Sequence, residues 1–142
     1  MRPIDFGKAG LAGLLVLILN LLATTAVVFA WAMLVEPGKS QEYYNALAPR
    51  IGAVTGPLGG VILMFAAAHL LARRRPGRNA IAFAAAVWVA YALLDLAIGL
   101  PMMALADLLT VRLALSLLAA LAGGLTGAAL AVSRNRRTPA SS

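Results

Sequence analysis

Four apolar stretches, each long enough to cross a lipid bilayer as a helix, constrain this chain more than any other feature. A hydrocarbon core of about 30 Å takes roughly 20 helical residues, and the runs at 9–35, 51–72, 80–103 and 108–132 meet that length. Polar segments separate them at 36–50, at 73–79 ("RRRPGRN") and around 104–107, and the chain ends in "SRNRRTPASS". Lipid offers no partner to a backbone N–H or C=O, so each run must close its own hydrogen bonds as a helix. The expected fold is all-α: a polytopic membrane protein with one four-helix transmembrane bundle over 1–133 and a basic, disordered tail over 134–142. A soluble chain of 142 residues could not hide a composition that is 62% hydrophobic and only 12% charged.

Charge orients the bundle. Arg2, Lys8, Arg73, Arg74, Arg75, Arg78, Arg134, Arg136 and Arg137 all fall on one side, whereas the first loop holds Lys39 and Arg50 balanced by Glu36 and Glu42, and Arg112 opens span four. The positive-inside rule then puts both termini and the second loop in the cytoplasm. With short loops and abundant Ala, Leu, Gly and Arg, this pattern fits a bacterial inner membrane. The net charge of +7 forms no stripe with interleaved aromatics, which argues against nucleic acid as a partner. The absence of cysteine excludes disulfides, zinc ribbons, thiol catalysis and iron–sulfur clusters.

Ala30-Trp31-Ala32 has the small-x-small form of a signal-peptidase site. The apolar stretch before it exceeds the roughly 7–15 residues of a signal core, so span one is expected to be retained. In the first, extracytoplasmic loop, "SQEYYNAL" (40–47) is expected to form a short interfacial helix with Tyr43 and Tyr44 as anchors at the aromatic belt, or alternatively a lid or partner-binding element.

The stretch "GAVTGPLGG" (52–60) lies inside span two. It lacks the lysine of a phosphate loop, but Gly52, Gly56 and Gly60 share one helix face, the small-xxx-small pattern that lets two helices approach closely. Gly123 and Gly127 repeat the device on span four. Both faces are expected to pack within the bundle, or else to form a homodimer contact. Pro57 strips a donor from the helix and frees the carbonyl near Ala53, bending span two and leaving an acceptor that needs a partner.

Polar residues inside spans are candidate sites because they are costly there. At about 1.5 Å of rise per residue, Thr24, Thr55, Asp95 and Ser116 all fall roughly 22–25 Å above the cytoplasmic end. Asn20 lies one turn below Thr24, and Trp88, Tyr91 and Asp95 form one stripe on span three. This layer could bind an organic cation or exchange a proton at Asp95. The plainer expectation is a structural ion pair joining Asp95 or Asp107 to Arg112. A four-helix chain that pairs an acid with aromatics resembles small four-helix drug exporters; here the acid sits on span three and no motif aligns, so no family is assigned.

No catalytic site, metal site or cofactor is expected. His69 has no second imidazole or nearby carboxylate, and Met64, Met102 and Met103 offer no haem partner at matching depth. No Ser-His-Asp set or carboxylate pair shares a depth. Two functions remain open: a packing protein acting as subunit, scaffold or assembly factor, and a small cation- or proton-coupled carrier built on the layer around Asp95.

Overall fold

The computed structural model describes residues 3–74, 79–101 and 110–137. They form four helices, α1 (Pro3–Leu34), α2 (Gln41–Arg73), α3 (Ala80–Gly99) and α4 (Val111–Arg137), with no strand among the described residues. Each helix is long and apolar enough to cross a membrane, and together they make the four-helix membrane bundle expected from the sequence.

The helix ends differ from the hydropathy limits for local reasons. Residues 41–50 are helical as expected, but they are the first turns of α2 and not a separate interfacial helix, and α2 continues through both Pro49 and Pro57. Ser40 caps it, its hydroxyl accepting from the Tyr43 N–H at 3.3 Å. Span three stops at Gly99, short of residue 103, because Pro101 has no N–H to donate to the preceding turn. Asn79 caps its start by accepting from Ala82 N–H at 3.0 Å. The tail expected to be disordered from 134 instead prolongs α4 to Arg137, since three of its first four residues, Arg134, Arg136 and Arg137, are good helix formers.

α1 and α4 sit on opposite corners, each packed against both α2 and α3. Thr24 faces Gly52 while Asn20 reaches Gly56, so α1 and α2 are antiparallel. Val61 faces Gly123 and Phe65 faces Gly127, so α2 and α4 run parallel, in the most extensive interface of the bundle.

Lipid tails are as apolar as leucine, so close van der Waals fit, rather than escape from water, must hold such helices together. Small residues supply that fit. A Cβ on Gly127 would collide with the Phe65 carbonyl, and one on Gly123 would stand 2.7 Å from the Val61 carbonyl. α1 meets α3 in the same way at Gly13, where a Cβ would lie 2.8 Å from the Tyr91 nitrogen. One core cluster gathers Ala9, Val16, Leu17, Met64, Phe83, Val87 and Tyr91. A second, made of Ala68, Ala72, Ala80, Ala84, Ala128 and Ala131, draws α2, α3 and α4 together near the second loop.

Candidate functional site

The stripe Ala9, Gly13, Val16, Leu17 and Asn20 turns one side of α1 into the bundle, which carries Asn20 inward until only 7% of it is exposed. Its Nδ2 donates to the Gly56 carbonyl at 3.1 Å and to the Tyr91 hydroxyl at 3.4 Å, tying α1 to α2 and α3. Room for this amide comes from α2. A Cβ on Gly59 would collide with Asn20 Oδ1, and one on Gly60 would stand 3.2 Å from the Tyr91 hydroxyl. Asn20 Oδ1 itself is buried without a hydrogen-bond partner. The glycines of 52–60 therefore admit polar side chains as well as a neighbouring helix.

Above Asn20 the helices part around a cavity of about 300 Å³. Its polar lining comes from Asn20 on α1, Tyr91 and Asp95 on α3, Arg112 and Ser116 on α4, and Thr110 just before α4; Ala53, Gly56 and Pro57 form the α2 wall. Thr110 starts α4, its hydroxyl accepting from the Leu113 N–H at 3.2 Å. Gly56 has nothing within 4 Å of a Cβ position, so it borders open space where its neighbours touch other helices.

Of the expected polar layer, Asn20, Tyr91, Asp95 and Ser116 line this cavity. Trp88 does not line it but bridges α3 to α4, its indole N–H donating to the Leu117 carbonyl at 2.8 Å. Thr24 and Thr55 do not line it. Their hydroxyls lie 3.4 Å apart, and Thr55 also donates back to Ile51 O at 3.0 Å, so this pair clasps α1 to α2.

The expected ion pair does not form as anticipated. Asp95 and Arg112 line the same cavity, yet among the described residues neither has an ion-pair partner. Arg112 Nη2 donates to the Ala53 carbonyl at 2.8 Å, the acceptor that Pro57 leaves unpaired in α2. Asp107, the other expected partner, lies outside the described residues.

At the opposite end, His69 Nδ1 approaches the Gly127 carbonyl at 3.2 Å and its ring stacks on Phe65, with centroids 6.0 Å apart. A carbonyl can only accept, so this contact uses the Nδ1–H tautomer.

A second polar knot joins α1 to α2 through the first loop. Glu36 Oε2 accepts from the Tyr43 hydroxyl and from the Trp31 indole, and the Glu36 carbonyl accepts from the Tyr44 hydroxyl. Gly38, at φ +78°, makes the turn between them. The Tyr43 hydroxyl foremost, followed by the Trp31 indole, holds the Glu36 carboxyl below its ordinary range, because hydrogen bonds donated to a carboxylate favour its charged form. Tyr43 and Tyr44 thus secure the chain's own turn. The sequence signal for this knot was an acid a few residues before a tyrosine pair; for Gly13 it was Ala9-xxx-Gly13, the small-residue spacing noted only on spans two and four.

The chain matches no protein-family model, no curated protein and no solved structure. Its function must therefore be inferred from its own residues.

Proposed function

We propose that this chain acts chiefly by packing, as a subunit, scaffold or assembly factor of a membrane. One observation carries the reading: the larger polar side chains inside the spans, Asp95 apart, hold this chain's own helices together. Asn20 joins α1 to α2 and α3, Trp88 joins α3 to α4, and Arg112 and His69 join α4 to α2. A bundle so arranged has its polar groups turned to architecture, and its small-residue faces at Gly123 and Gly127 are filled from within. It needs no second copy to complete them. The distribution of Lys and Arg supports an inner-membrane location with both termini in the cytoplasm.

Asp95 supports a second reading. It lines the cavity without a hydrogen bond or ion pair among the described residues, and an unpaired acid within a span is a default functional candidate. The cavity would then serve a small proton- or ion-coupled carrier. Arg112 on the same wall works against a bulky organic cation and narrows this reading to a proton, or to a solute bringing its own carboxylate.

Native mass spectrometry of the full chain from nanodiscs formed directly out of membranes separates the two. The packing reading expects a stoichiometric protein partner and no bound solute. A solute-loaded chain without partners, emptied by Asp95→Asn, would replace it with the carrier reading.

A further inference from the structure

A groove of about 540 Å³ runs between α1 and α2, nearer the second loop than the polar cavity and sharing no lining residue with it. Its walls are almost wholly apolar, with Leu19 and Leu63 at the deep end, Ala66 along the side and Phe83 behind. The exceptions are Lys8 and Arg74, both at one end of it. From this groove and its charged mouth we infer a binding site for one anionic phospholipid, with an acyl chain along the groove and the headgroup phosphate between Lys8 and Arg74.

The dimensions fit a lipid standing in one leaflet. Lys8 to Leu19 on α1 and Arg74 to Leu63 on α2 each span about 16 Å at ~1.5 Å per residue, and half of a hydrocarbon core of about 30 Å is ~15 Å. The groove thus begins where headgroups lie and ends near the bilayer midplane. Small side chains keep it open, since Ala66 stands where a larger residue would fill it.

Charge selects among lipids. Lys8 and Arg74 are exposed, and neither side chain has a hydrogen-bond or ion-pair partner among the described residues. The only acid on α1, Asp5, is buried and outside the groove lining. Two unneutralised cations at the mouth of an apolar slot favour a phosphate carrying net negative charge over a zwitterionic headgroup. The site does not depend on which reading of the polar cavity holds.

The test is lipid retention by the full chain in native mass spectrometry, after release from nanodiscs holding equal phosphatidylglycerol and phosphatidylcholine. The expected result is one phosphatidylglycerol retained per chain in clear excess. The double variant Lys8→Gln/Arg74→Gln should lower that excess roughly tenfold or more, at about one charge's attraction per residue removed. Ala66→Phe, which fills the slot and leaves the mouth intact, should release both lipids. Both charged side chains are exposed, so the double variant tests selectivity even if Ala66→Phe does not fold. Equal retention of the two lipids, selectivity unchanged in the double variant, or loss of the adduct on adding inorganic phosphate alone would each overturn the site.

Discussion

Arg112 on α4 donates from Nη2 to the main-chain carbonyl of Ala53 on α2 at 2.8 Å. That carbonyl is the one whose helical donor is missing because residue 57 is proline. A defect in one helix and a charged residue at the start of another therefore satisfy each other. This explains why α2 can carry Pro57 without stopping, and why Arg112 is not available in full to Asp95.

Arg112→Gln should consequently destabilise the bundle by about 1 kcal/mol, within the range of interhelical hydrogen bonds measured in membranes. The loss should shrink in a Pro57→Ala background, where residue 57 regains its N–H and can serve the Ala53 carbonyl. Equilibrium unfolding in mixed detergent micelles across the four-member cycle checks this. Penalties that simply add would show that the arginine does not serve that carbonyl.

Asp95→Asn should leave stability unchanged or raise it, in contrast to Arg112→Gln. The carboxyl makes no bond among the described residues that the amide would lose, and the amide does not bring a charge into the membrane. Thermal unfolding of both variants decides the point, since equal losses are what an Asp95–Arg112 ion pair requires.

The two glycine faces should respond differently to the same change. Gly127→Ala places a Cβ against the Phe65 carbonyl and should cost about 1–3 kcal/mol, the range for overpacking a filled interface. Gly56→Ala meets nothing within 4 Å and should be tolerated, or gain a little from helix propensity. Unfolding midpoints measured side by side would expose an error if the two variants matched.

The loop knot should loosen in acid. The Glu36 carboxyl is held below its ordinary value of 4.5, so the unfolded turn binds a proton more readily than the folded one. Its contribution is then complete above pH 4.5 and is lost as pH falls through the lower, folded value. Hydrogen–deuterium exchange over residues 35–44 should rise across that window, and Glu36→Gln should remove the dependence. A pH response that survives Glu36→Gln would assign it to another group.

The length and hydropathy of the four runs were enough to determine an all-helical membrane bundle, because lipid leaves no other way to satisfy a spanning backbone. The sequence also marked Pro57 as the source of an unpaired carbonyl, and it placed Thr24, Thr55, Asp95 and Ser116 at a common height, with Asn20 a turn below Thr24 and Tyr91 below Asp95 on one stripe. The first reading needs only the i to i−4 bonding pattern of a helix, and the second only its rise per residue. Rotation about each helix axis and the choice of neighbour are different quantities, set by which side chains interlock across the bundle. Only the tertiary structure decided that Gly127 meets Phe65, that Thr24 and Thr55 turn to each other away from the cavity, and that Arg112 reaches the Ala53 carbonyl. A depth count carries no azimuth, so one helix cannot report which helix its polar residues will face.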